Sequence, residues 1–232
     1  MNSNYVLPIV IVLAGALIAG AVFWAGKSGT DGNNGGGSQS TRAYTPGKDH
    51  ILGNPNATVK VIEYADLECG YCKDFHVTMH QIMDYYGKDG NVAWIFRHFP
   101  LSQIHSKAPQ EAQAAECAAD QGGDAAFWRY IDKVYEITPS DNGLDLGKLP
   151  EIAQEIGLDV AAFNQCLQSG KFAQRVAAEY QEAVSGGGQG TPYTFLMVGG
   201  ESVVLAGSQP YDSMRAAIDA LLGNLSTPPA SQ

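Results

Sequence analysis

The chain has 232 residues, 45% hydrophobic and 16% charged, with a formal net charge of −10. Residues 45–232 hold 12 of the 14 basic and 23 of the 24 acidic residues, which leaves this part at about −11. That sign argues against nucleic acid or an anionic membrane surface as the partner, because both are bound by clustered cations.

Read in chain order, Tyr5 to Gly26 is almost wholly apolar and uncharged. About 20 such residues at 1.5 Å each cross a hydrocarbon layer, so 1–26 is expected to be an N-terminal transmembrane helix. No Lys or Arg precedes the run, and a cleavable signal has a basic start and a shorter apolar stretch, so an uncleaved anchor is expected. Residues 27–47, with Gly-Asn-Asn-Gly-Gly-Gly-Ser at their centre, are expected to be a flexible linker. Residues 48–225 are then one domain of ordinary size, and 226–232 a Pro/Ser-rich disordered tail.

Within the domain, Val59 to Ala65 alternates and is β-branched, which predicts a strand. Cys72 to Tyr86 carries Phe75, Met79, Ile82 and Met83 at helical spacing. Asn91 to Phe99 predicts a second strand. Helices are predicted over Pro109 to Tyr135, Leu146 to Ile156, Val160 to Leu167 and Lys171 to Val184. Tyr193 to Val198 and Ser202 to Leu205 flank Gly199-Gly200, a hairpin signature. Tyr211 to Leu222 closes the domain as a helix. The expected fold is α/β: a small mixed sheet covered by helices, with a helical insertion at about 105–184.

Four residues between the first strand and the first helix carry the chemistry: Cys69-Gly70-Tyr71-Cys72. Two thiols at this spacing lie within one helical turn and can close a small-ring disulfide. The first sits at the helix start, where unpaired N–H groups and the macrodipole favour an anion and hence a thiolate. The motif points to thiol–disulfide redox chemistry. A rival reading takes Cys69, Cys72 and His76 as three ligands of a metal-binding or metallochaperone module. His80 falls outside that set, because residues 69 and 80 of one helix lie about 16 Å apart at 1.5 Å per residue. His98 and His105, which flank Phe99-Pro100-Leu101, receive no role.

Together the strand–Cys-x-x-Cys–helix arrangement, Gly190-Thr191-Pro192 entering a strand, and the inserted helical block resemble the DsbA-like members of the thioredoxin superfamily over nearly all of residues 50–222. The resemblance implies a thioredoxin-like fold and roles for particular residues. Cys69 matches the exposed nucleophile, Cys72 the buried resolving thiol, and Pro192 the cis-proline that packs against them. Thr191 would offer its backbone to an extended peptide, beside Gly70 and Tyr71. Glu63 matches the family's buried acidic position, a relay for the Cys72 proton. Strand alternation supports burial, since Glu63 shares a face with Val61 and Ala65, whereas exposure is the bland alternative. Gly70 and Thr191 depart from the commonest oxidase pattern and leave the redox direction, oxidase or isomerase, open.

An even cysteine count behind a membrane-targeting segment suits an oxidising compartment, so the domain is expected on the extracytoplasmic side. There Cys117 and Cys166 are expected to form a structural disulfide between two helices of the insertion. The alternative is two buried free thiols. No cofactor and no metal are expected. The implied partners are unfolded or reduced exported proteins and, for reoxidation, a membrane quinone-linked oxidase.

Overall fold

The computed structural model of the protein describes residues 39–226. The expected anchor at 1–26, most of the linker and the tail at 227–232 lie outside the described residues. Among the described residues, no helix is long and apolar enough to cross a membrane.

Five strands, β1 (His50–Gly53), β2 (Val59–Ala65), β3 (Val92–His98), β4 (Tyr193–Val198) and β5 (Glu201–Ala206), form one sheet in the order β1-β3-β2-β4-β5. β2 runs parallel to β3 and antiparallel to β4, and the outer pairs are antiparallel. β2 reads VKVIEYA and is buried along nearly its whole length, as a central strand covered on both faces must be. Its alternation divides the core in two. Val59, Val61 and Ala65 pack on one face with Trp94, Phe75 and Phe127. Ile62 and Tyr64 pack on the other with Ile95, Phe99 and Phe195. The β4–β5 turn uses Gly199 and Gly200 at φ +59° and +96°, a conformation that other residues adopt only with strain.

Six helices complete the domain: α1 (Gly70–Tyr86), α2 (Ala108–Ile137), α3 (Lys148–Glu155), α4 (Val160–Ser169), α5 (Ala173–Ser185) and α6 (Tyr211–Ser226). The helix predicted over 109–135 is kinked at Gly122-Gly123, where the backbone leaves helical geometry (φ −137° and +61°). A Cβ at Gly122 would lie 2.7 Å from that of Ala126. α4 begins on Asp159, whose side chain accepts from the Ala161 and Ala162 amides, and stops at left-handed Gly170. Cys117 of α2 and Cys166 of α4 are joined by a disulfide, Cα–Cα 5.8 Å.

Two features differ from the sequence reading. β1 has no counterpart in it, because four residues are too few to establish a period. Tertiary pairing of His50–Gly53 with Ala93–Phe96 makes the strand. The linker also ends earlier than Gly47. The wholly buried Arg97 needs acceptors, and it takes Thr41 Oγ1 at 2.8 Å, the Arg42 carbonyl at 3.2 Å and Asp49 Oδ1 at 2.8 Å. Arg42 in turn pairs with Asp49 at 2.6 Å and Glu182 at 2.8 Å. Burying a guanidinium is tolerable only with such partners, so residues 41–49 are pinned to the second face of the sheet.

Candidate functional site: a dithiol at the start of α1

β2 ends at Ala65, and the turn Asp66–Glu68 delivers Cys69 to the N-cap of α1. The Cys69 amide donates to the Asp66 carbonyl at 3.2 Å, and the Cys69 carbonyl accepts from Lys73 at 3.0 Å. Cys69 has extended φ/ψ (−80°, 120°), no side chain caps the helix, and the first turn holds no acidic residue. The positive end of α1 is therefore left to the cysteine sulfur.

The two thiols are free in the structure and differ sharply. The Cys69 thiol donates to the Thr191 backbone carbonyl at 3.6 Å. Its pKa is held down at about 6, mainly by the hydrogen bond from Cys72, which outweighs burial, with help from Thr191 and the Cys72 and Tyr71 amides. Cys72 is fully buried, and burial pushes its pKa well above the ordinary thiol range, with the neighbouring Cys69 and Glu63 adding to the shift. Its Sγ accepts from the Asp66 amide at 3.5 Å.

The Thr191–Pro192 peptide bond is cis and brings the segment entering β4 against Cys69. The Thr191 hydroxyl oxygen is buried without a hydrogen-bond partner. A groove of ≈ 480 Å³ runs along Gln189–Tyr193, floored by Val204 and Ala206 of β5. Tyr71 projects beside the dithiol and is 71% exposed. Gly70 faces Ser140, 3.8 Å from where a Cβ would stand.

Glu63 lies on the α1 face of β2, 1% exposed. Trp94 Nε1 donates to its Oε2 at 2.8 Å, while Oε1 has no partner. Burial raises its pKa to about 8, only partly opposed by the Trp94 hydrogen bond. It is thus a carboxyl that holds its proton at neutral pH beside a buried thiol.

Two residues at the site carry no signal in the sequence. Asp66 supplies the amide to Cys72, and its Oδ2 pairs with His105 Nδ1 at 2.9 Å. Burial lowers the His105 pKa, but Asp66 and the Cys69 thiolate together raise it above its ordinary value. The His105 imidazole therefore holds its proton more readily than usual, within electrostatic reach of Cys69. The two positions are 39 apart, and only the fold joins them.

The metal reading through Cys69, Cys72 and His76 fails on geometry. His76 is buried, and its Nε2 faces Asp132 Oδ1 at 2.7 Å and His80 Nε2 at 3.1 Å rather than either thiol. Among the described residues, no cluster of potential ligands includes either thiol.

Residues 45–220 match the family model described as Thioredoxin. Among solved structures, Pseudomonas aeruginosa DsbA2 superposes with a TM-score of 0.65 and 28% identity, covering 80% of this chain and 100% of that one. Wolbachia pipientis alpha-DsbA1 gives 0.67 and 27%, covering 78% and 94%. Among curated proteins, the Na(+)/H(+) antiporter NhaA 3 of Salinispora tropica is 34% identical over 155 residues, which is 65% of this chain but 22% of the antiporter. The chain spans less than a third of the length of the curated relatives it matches.

Proposed function

The chain belongs to the thioredoxin family, and on that premise we propose that it is a thiol–disulfide oxidoreductase of exported proteins working through Cys69 and Cys72. The observation that carries the reading is the asymmetry of the pair. Cys69 is an anion near neutral pH, whereas Cys72 stays protonated. Attack by a thiolate and departure of a thiolate are both favoured at the sulfur of lower pKa.

In the oxidising direction the pair begins as a disulfide. A substrate thiolate attacks the sulfur of Cys69, which keeps 6% exposure where Cys72 has none, so the nucleophile expected to be exposed is in fact nearly buried. The S–S bond between the cysteines breaks as the substrate–Cys69 bond forms, and its electron pair goes to Cys72, which takes up a proton. A second substrate thiolate then attacks the substrate sulfur of the mixed disulfide and expels Cys69 as a thiolate. The substrate has lost two electrons and the pair has gained them. The reverse sequence, with Cys69 attacking and Cys72 resolving, reduces or isomerises a substrate.

Glu63 suits the proton transfer at Cys72, because its carboxyl is protonated below about pH 8 and Oε1 is unengaged. Thr191 and Pro192 border the groove in which an extended peptide would lie, and Thr191 meets Cys69, the residue that precedes Gly70 and Tyr71. The Cys117–Cys166 bridge serves the structure of the insertion. The domain is placed outside the cytoplasm, tethered by residues 1–26, and is recharged by a quinone-linked membrane oxidase. These assignments rest on the apolar N-terminal sequence and the likeness to DsbA proteins. Shared sequence over 22% of an antiporter argues for a common domain and carries no transport activity across.

Cys69→Ser is expected to abolish oxidation and reduction of a model dithiol peptide. Cys72→Ser is expected to accumulate a mixed disulfide at Cys69. Turnover by Cys69→Ser would overturn the assignment.

A further inference from the structure

One constellation away from the thiols is not used by the redox chemistry. His76 and His80 are four apart on α1 and share a face, and Asp132 projects from α2 toward them. His76 Nε2 and His80 Nε2 lie 2.7 and 2.9 Å from the same oxygen, Asp132 Oδ1, and 3.1 Å from each other. Two imidazole nitrogens thus converge on one carboxylate oxygen and on one another. Asp132 Oδ1 can accept from both rings, and a cation bound there would replace the two N–H hydrogens.

We propose that His76, His80 and Asp132 form a binding site for a borderline divalent transition ion, Zn²⁺ in the first instance, with its fourth position open to water. The three ligand atoms make a triangle with edges of 2.7, 2.9 and 3.1 Å. One face of a tetrahedral site with bonds near 2.0–2.1 Å has edges of about 3.3 Å, so each atom needs to move only a few tenths of an ångström. Two histidines and one carboxylate are a donor set that zinc accepts.

The ligands are held ready. The His76 ring packs against Trp94 and Tyr135, with centroids 5.1 and 4.6 Å apart, and His80 stands edge-on to Trp94 at 5.4 Å. These contacts orient the rings; His76 Nδ1 itself has no hydrogen-bond partner. The His80 and Asp132 side chains are each 41% exposed, so an ion can enter and keep a water ligand.

The other cluster of this kind, His98 with Glu116 and Glu179, is wholly buried and already holds a cation: Arg175 Nε stands 3.0 Å from Glu116 Oε1. Among the described residues, the part-exposed cluster has no such cation, and Lys and Arg take no part in its ion pairs. An ion there would tie α1, which begins at the dithiol, to α2 of the insertion.

The test uses the untagged full chain, stripped with a chelator, with Cys69–Cys72 oxidised and any residual thiol alkylated. It is titrated with Zn²⁺ by calorimetry and with Co²⁺ by absorbance. One equivalent should bind, and Co²⁺ should give tetrahedral d–d bands without a sulfur charge-transfer band. His80→Gln and Asp132→Asn should each weaken binding more than about tenfold, while the reduction potential of the dithiol stays measurable and separate. Absence of binding to the oxidised chain, affinity unchanged in both variants, or binding that returns only with free thiols would each overturn the proposal.

Discussion

The Cys69 sulfur lies 3.6 Å from the backbone carbonyl oxygen of Thr191, across 122 positions of sequence. This contact joins the helix start that acidifies the thiol to the segment that would hold an extended peptide. The Thr191 hydroxyl, buried and otherwise unpartnered, is also placed to stabilise a Cys69 thiolate. Thr191→Val should therefore raise the Cys69 pKa above about 6, by up to about one unit. Thr191→Ser should keep it. Thiolate absorbance against pH reads both, and equal pKa values in all three proteins would show that the hydroxyl plays no part.

Glu63 makes stability depend on pH in a defined sense. Its carboxyl sits near 4.5 when unfolded and is raised to about 8 in the fold. The stability this group contributes is fully present below about pH 4.5 and is lost as pH rises through about 8. Glu63→Gln should abolish that slope and stabilise the reduced protein at pH 7 by roughly 1–3 kcal/mol, while slowing steps that move the Cys72 proton. Chemical denaturation at pH 5 and pH 8 measures the difference. A parallel loss in wild type and variant would contradict it.

Cys69 works in the opposite sense. Its folded pKa of about 6 lies below the ordinary thiol value of 9.0, so the stabilisation is present above pH 9 and fades as pH falls through 6. Only the reduced form has a thiol to titrate. Reduced minus oxidised stability should therefore rise between pH 6 and pH 9. A flat difference would mean that Cys69 titrates like an exposed thiol.

Gly70 occupies the first helical position, where proline is well accommodated. A Cβ there meets nothing closer than Ser140 at 3.8 Å, and Cys69 before it already has the extended ψ of 120° that a following proline requires. The amides that acidify Cys69 belong to Tyr71 and Cys72. Gly70→Pro should then stabilise the fold by about 0.4–1 kcal/mol and leave the Cys69 pKa in place. A destabilised variant would show that the Gly70 amide is needed.

Closing 49 residues, the Cys117–Cys166 bridge should contribute about 4 kcal/mol on a chain-entropy basis. The double Ala variant should lose roughly 2–4 kcal/mol in denaturant melts, with the insertion unfolding first, yet retain Cys69–Cys72 chemistry. Unchanged stability would mean that packing of α2 on α4 suffices.

Much of this fold was legible in the sequence where local pattern and burial agree. β2, α1 and β3 could be read from alternation and helical spacing, and parity put Glu63 on the inner face with Val61 and Ala65. The rest depends on partners distant in sequence. β1 exists because it pairs with β3. Residues 41–47 look like linker until Arg97 is seen to need the Arg42 and Ala43 carbonyls. The Asp66–His105 pair and the approach of Asp132 to His76 and His80 leave no periodic trace, since each joins separate elements.

The most direct test of the dithiol assignment is the reduction potential of Cys69–Cys72 in the full chain, equilibrated against glutathione buffers. A Cys69 pKa of about 6 lies between the roughly 3.5 of DsbA and 7 of thioredoxin. A two-electron couple between about −120 and −270 mV is expected. A potential more reducing than about −270 mV, or no two-electron couple at all, would contradict it.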